Sequence, residues 1–190
     1  MSDPLSSIGR ALNDLGAGPA AAPRGDKNRQ QFCGDIDMRI GYDGTWFYHG
    51  SPIGRKPLVK LFASVLRREN DGDYWLVTPV EQARIRVDDA PFTAVEVNTA
   101  GKGRGQVLVF RTNLDDEVTL DAEHPLEVRF PGETGEPRPY IRVRGRLEAR
   151  VLRPVFYELV AMAEPAPDGD PGTIGVWSRG QFFSLGRADG

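Results

Sequence analysis

The chain has 190 residues, 24 of them basic and 27 acidic, for a net charge of −3. That balance argues against a protein wrapped in a nucleic-acid polymer, while leaving room for a local basic site. One cysteine, Cys33, and two histidines, His49 and His124, exclude an intramolecular disulfide framework and a zinc centre built from Cys and His. No calcium-loop pattern occurs either, so neither a metal nor a cofactor is expected.

The length suits one domain or two small ones, burying roughly 70% of the unfolded surface without a staple. An early acid and the lack of an apolar core near Met1 predict no signal peptide. Apolar runs such as Val107–Phe110 fall far short of a bilayer span. The expectation is a soluble cytoplasmic protein without a membrane partner.

In chain order, Leu5, Ile8, Leu12 and Leu15 recur at helical spacing and predict a small amphipathic helix over residues 4–15. A Gly/Ala/Pro-rich linker follows, to about Gln31. From Asp35 the period becomes two: Ile36, Met38 and Ile40 alternate with Asp35, Asp37 and Arg39, the pattern of a half-buried strand. Asp43-Gly44 predicts a hairpin turn into a strand from Thr45 to Tyr48. Leu58, Leu61, Phe62, Val65 and Leu66 form one stripe behind Pro57, so a helix is predicted there, with Arg67 and Arg68 complementing its C-terminal dipole.

Strands are expected next at Tyr74–Thr78 and Ala83–Val87, around Pro79. Phe92–Thr99 and Gln106–Arg111 read as a hairpin closed by Ala100–Gly105. Shorter strands follow at Val118–Leu120, Leu126–Phe130 and Tyr140–Arg144. A second helix begins at Pro154, with Val155, Phe156, Leu159, Val160 and Ala163 as its stripe. The last hairpin pairs Ile174–Trp177 with Gln181–Leu185 across Ser178-Arg179-Gly180.

Ile53–Ala63 lies over Val151–Ala161 at a fixed offset, matching Arg55 to Arg153 and Leu61 to Leu159. Each helix follows strands and precedes a hairpin, an order that points to a duplicated unit. The predicted fold is α+β: two related small halves of antiparallel strands, each with one helix, behind the N-terminal helix. The boundaries are residues 1–31 for helix and linker, 32–91 for the first half and 92–190 for the second.

The chemistry centres on cations at helix starts. Arg55 and Lys56 precede Pro57, and Arg153 precedes Pro154. A helix N-terminus already carries about +0.5 charge, so a cation there is unfavourable unless an anion joins it. Arg84 and Arg86 alternate with Ile85 and Val87, either as a solvated sheet face or as phosphate forks. Arg142, Arg144 and Arg146 repeat that pattern less convincingly.

Asp35 and Asp37 share a strand face at roughly the separation of paired glycosidase carboxylates, or serve as ion-pair partners. Trp46 and Tyr48 could stack on a base, although most of the aromatics must be core. Gly101–Gly105 lacks the G-K-[ST] of a phosphate loop and reads as a hairpin loop. Cys33 is either a redox-sensitive thiol or an inert buried one.

Cys33–Ile40, Asp43–Tyr48, Pro52–Arg55, Leu76–Glu81 and Val87–Phe92 together resemble the bacterial domain-of-unknown-function family 1285. Arg144–Glu148, Val155–Leu159, Gly175–Trp177 and Phe182–Gly186 are similar to its later motifs. The resemblance spans about residues 32–187 and departs before Cys33, where Pro19–Pro23 and Lys27–Arg29 stand in place of the family's pattern. It implies two structurally related halves, the second superficially like a pleckstrin-homology domain, that is, a partly open barrel. It also implies a nucleotide-like ligand between the halves and a signalling role.

The expected function is therefore a non-enzymatic sensor or adaptor for a small anionic, nucleotide-based ligand. Arg55, Lys56 and Arg153 would hold the charge, Arg84 and Arg86 assist, and Trp46 or Tyr48 flank a base, with Asp35 and Asp37 completing the set. The alternatives are a hydrolase or lyase using Asp35 and Asp37, and a protein-interaction domain with a protein partner.

Overall fold

Alternation builds the first sheet. In β1 (Gln31–Ile40), Ile36, Met38 and Ile40 point into the core while Asp35 and Asp37 stay exposed. The computed structural model describes residues 31–79, 81–131, 135–167 and 172–188, and of residues 31–33 only the backbone. The helix expected over residues 4–15, the linker and the Cys33 side chain lie outside the described residues. The chain divides between Asp88 and Asp89 into two units.

In the first unit β1 turns at Asp43-Gly44 into β2 (Trp46–Tyr48) and a short β3 (Ser51–Pro52). The Asp43 side chain accepts from Thr45 N and Thr45 Oγ1 at 3.0 and 2.8 Å, and Gly44 supplies the positive φ the turn requires. Helix α1 (Lys56–Ser64) follows, then β4 (Leu66–Arg68), β5 (Tyr74–Val77) and β6 (Glu81–Val87). The sheet order is β3-β2-β1-β6-β5-β4, antiparallel except for the central β1/β6 pair.

Three expectations are corrected here. Helix α1 turns Val59, Phe62 and Ala63 inward, so Leu58 and Leu61 are only half-buried. It ends at Ser64, and Arg67 and Arg68 pair with Trp75 and Tyr74 in β4 instead of capping the helix. The third correction is the parallel central pair, which an all-antiparallel half lacks. It arises because two three-stranded meanders meet through their first and last strands.

The second unit repeats that strand plan. β7 (Phe92–Ala100), a 3₁₀ turn at Gly103–Gly105, β8 (Val107–Thr112) and β9 (Glu117–Thr119) form one meander. β10 (Leu126–Arg129), β11 (Arg138–Arg144) and β12 (Leu147–Val151) form the other. The order is β10-β11-β12-β7-β8-β9, with β12 and β7 parallel. Taken strand for strand, this is the topology of the first sheet. The helices are out of phase with it: α1 lies between the third and fourth strands, whereas α2 (Arg153–Ala161) follows the sixth.

After α2 come β13 (Glu164–Pro165), β14 (Thr173–Ser178) and β15 (Gln181–Arg187), a separate three-stranded sheet. The larger sheet curls, so that β8 and β10 both reach this small one. Helix α2 packs Val155, Phe156 and Leu159 inward, against β7 and β14. Val160, expected in the stripe, is exposed.

A buried polar knot fixes β14. Ser178 Oγ donates to Leu120 O at 2.7 Å and accepts from Leu108 N at 3.1 Å. Gln106 Nε2 donates to Trp177 O at 2.9 Å. Gly175 has no room for a side chain: a Cβ there would lie 2.2 Å from Phe183 O. Among the described residues, no helix is long and apolar enough to cross a membrane.

Candidate functional site

Because side chains alternate along a strand, Asp35, Asp37 and Arg39 leave β1 on the face opposite its apolar residues, and Arg84 and Arg86 do the same on β6. Parallel pairing then joins them. Arg84 Nε and Nη2 donate to Asp35 Oδ1 and Oδ2 at 2.6 and 2.9 Å, and Nη1 donates to Asp73 Oδ2 at 2.8 Å. Arg86 Nη2 donates to Asp37 Oδ1 at 3.2 Å, and Asp37 Oδ2 lies 3.4 Å from His49 Nδ1. Arg39 donates to Asp88 and lies over the Phe47 ring, 4.6 Å from its centre.

The strand faces around Arg84 and Arg86 border an open groove of about 760 Å³. Its lining holds Asp35, Asp37, Asp73 and Asp88 against Arg84 and Arg86. The hydrogen bonds from Arg84 hold the Asp35 carboxyl below the usual carboxylate range, and Asp35 with Asp73 pushes the Arg84 guanidinium upward. Both groups stay charged. An anion entering here meets a majority of carboxylates, and Arg84 already spends its fork on two of them. The expectation that Arg84 and Arg86 assist an anionic ligand is therefore corrected. A general acid at Asp35 would need its carboxyl raised, and the shift runs the other way.

Trp46 is the second correction. It is 1% exposed and stacks on Phe62 with ring centres 6.3 Å apart, so its face is spent inside the first unit's core. Its Nε1 is buried with no hydrogen-bond partner among the described residues. Tyr48 is half-buried, its ring centre 4.1 Å from that of His49. Arg55 is the N-cap residue of α1, exposed and without an acidic partner among the described residues, and Lys56 opens the helix.

Arg153 opens α2 and lines a smaller pocket of about 290 Å³ within the second unit. Arg150, Phe156, Tyr157, Pro137, Pro139 and Glu136 share it. Arg153 donates to Glu136, an exposed pair of the kind that contributes little. Arg150 is firmer: its Nη1 donates to Asp89 Oδ2 at 2.8 Å, and Asp89 Oδ1 accepts from Tyr140 Oη at 2.7 Å. Burial, then Asp89, pushes the Tyr140 phenol up, so it remains a donor. Both helices start without a side-chain cap and without an acid in the first turn.

Several of these partners were not foreseen. Tyr157 lies off the apolar stripe of α2, an aromatic on a polar face, and that is a signal sequence alone can give. Asp89 and Tyr140 are 51 residues apart, and nothing local connects them. Among the described residues, no group of three or more His, Cys, Asp or Glu side chains could hold a metal.

Comparison with known proteins places this chain. Residues 26–90 match the family model described as a domain of unknown function (DUF1285), N-terminal domain. Residues 91–185 match the protein of unknown function (DUF1285), C-terminal domain. A crystal structure of a DUF1285 family protein from Silicibacter pomeroyi DSS-3 is 44% identical, covering 100% of this chain and 98% of that one, with a TM-score of 0.87. Another, from Shewanella baltica OS155, is 25% identical over 67% of this chain and 92% of that one, with a TM-score of 0.52. No curated protein matches. Two family models in order across both units, together with a close structural relative along the full length, lead to one conclusion: this chain belongs to the DUF1285 family.

Proposed function

We propose that the protein is a non-enzymatic, ligand-sensing module. In this reading the second unit takes a small anionic ligand with a flat ring, of the nucleotide type, at the start of α2. β7 to β15 with α2 then form a partly open barrel of the pleckstrin-homology type, working in the cytoplasm.

The observation that carries the proposal is the convergence of Arg150, Arg153 and the Tyr157 ring on one concavity at an uncapped helix start. The first-turn amides and the Arg153 guanidinium suit a phosphate, and Arg150, held by Asp89, adds its charge to the pocket wall. Tyr157, 61% exposed, offers a ring face to a base. The pocket is at the small end of ligand cavities, which favours a mononucleotide over anything larger. Glu136 balances the Arg153 charge and yields to the incoming phosphate.

The test is calorimetry and thermal shift with a panel of nucleoside phosphates. A member at 100 times its Kd stabilises the fold by about 2.7 kcal/mol. R153A and Y157A, both at exposed positions, each weaken binding about tenfold or more. A panel without a binder, or full affinity in R153A, overturns the proposal.

A further inference from the structure

We infer that the second unit carries a separate phosphate-binding surface on two hairpin tips, those joining β7 to β8 and β14 to β15. The tips bring Lys102, Arg104 and Arg179 together. Arg179 N donates to Gln106 O at 2.8 Å, and Gly180 N donates to Arg104 O at 3.0 Å. Gln106 and Ser178, both buried, anchor the same two segments from below through Trp177 O and Leu108 N. The three cations thus stand on a rigid base, not on loose loops.

Their charge is uncompensated. All three are exposed, and none has an acidic partner among the described residues. Four sheet arginines of this unit, Arg111, Arg129, Arg144 and Arg150, do have acidic partners. Arg104 lays its guanidinium over the Trp177 ring, 4.8 Å from the centre, which holds the group in place.

Backbone geometry supplies an independent observation. Arg179 has φ 51° and Gly180 φ 78°, the two left-handed positions of a tight hairpin turn that Asn-Gly fills at least cost. An arginine at the first of them is strained. Strain of this kind, held by a rigid surround, marks positions kept for binding. Glycines at 101, 103 and 105 keep the facing tip open, so that a group with several phosphate oxygens can approach the backbone.

The ligand chemistry is two or more closely spaced phosphates, from a soluble phosphate ester or from an anionic lipid headgroup. Three cations on one small surface, in a chain of net charge −3, match such a group better than a nucleic-acid polymer.

The full chain is titrated with inorganic pyrophosphate by calorimetry and co-sedimented with cardiolipin/phosphatidylcholine vesicles, whose anionic headgroup carries two phosphates. Binding to at least one probe is expected, and the one that binds names the source. K102Q/R104Q weakens it about tenfold or more. R179N weakens it about fivefold while raising Tm by about 2 °C, because asparagine relieves the turn. Mononucleotide affinity in K102Q/R104Q stays at the wild-type value, which separates this surface from the pocket at α2. Failure of both probes, or unaltered binding in K102Q/R104Q or R179N, overturns the inference.

Discussion

Arg39 of β1 donates to Asp88, the residue that follows β6, with base and acid reversed relative to the Asp35–Arg84 pair between the same two segments. The native parallel register sets Arg39 opposite Arg86, so Asp88 is the acid that offsets the Arg39 charge where two guanidiniums would otherwise face each other.

R39D tests this directly. It leaves Asp88 facing a carboxylate and lowers stability by about 1 kcal/mol. R39D/D88R restores most of the loss. Urea midpoints of the two variants and the wild type decide it, and a double variant no better than the single would show that the pair contributes nothing.

The Asp35–Arg84 fork has a pH signature. The folded carboxyl titrates below its ordinary value of 3.8 because Arg84 hydrogen-bonds its charged form. Its contribution is therefore complete above that value and is lost as pH falls through the lower, folded value. The Tm difference between wild type and D35N is expected to be constant from pH 7 to about pH 5 and to shrink toward about pH 3. A constant gap over the whole range would contradict this.

S178A removes a hydroxyl that both donates and accepts inside the second unit, leaving Leu108 N and Leu120 O unpaired. The expected loss is about 3 kcal/mol, read from denaturant unfolding followed by Trp177 fluorescence.

Trp46 separates core from ligand surface. W46A opens a cavity and loses about 3–5 kcal/mol. W46F keeps most of the ring volume and removes the buried, unpartnered Nε1, so it loses far less. Nucleotide affinity in W46F stays at the wild-type value, measured by calorimetry.

The parts legible in the sequence are those with local causes. Ile36, Met38 and Ile40 announce β1 by alternation, and Asp43-Gly44 announces its turn. Leu66 misleads because it continues the apolar spacing of α1, while its pairing with Leu76 comes from ten residues on. β3 and β13, two residues each, are too short for any periodicity. β12 does alternate, with Leu147, Ala149 and Val151 inward, but its run into Pro154 reads equally as a helix approach.

The candidate site was legible only in part for the same reason. Arginines at helix starts are visible as spacing. Whether a guanidinium is free depends on acids far away in the chain: Asp35 reaches Arg84 across 49 residues. Residue type marks Trp46 as able to stack, but only the packing of Phe62 decides what it stacks on.

The parallel seams β1/β6 and β7/β12 join the earliest and latest strands of each sheet. No partial product of synthesis can therefore close either layer. A ribosome must release Val87 before the first seam forms, and Val151 before the second. Such long-range closure makes folding slow and strongly cooperative within a unit, and it exposes the edges of β1 and β7 to aggregation and chaperones in the interval.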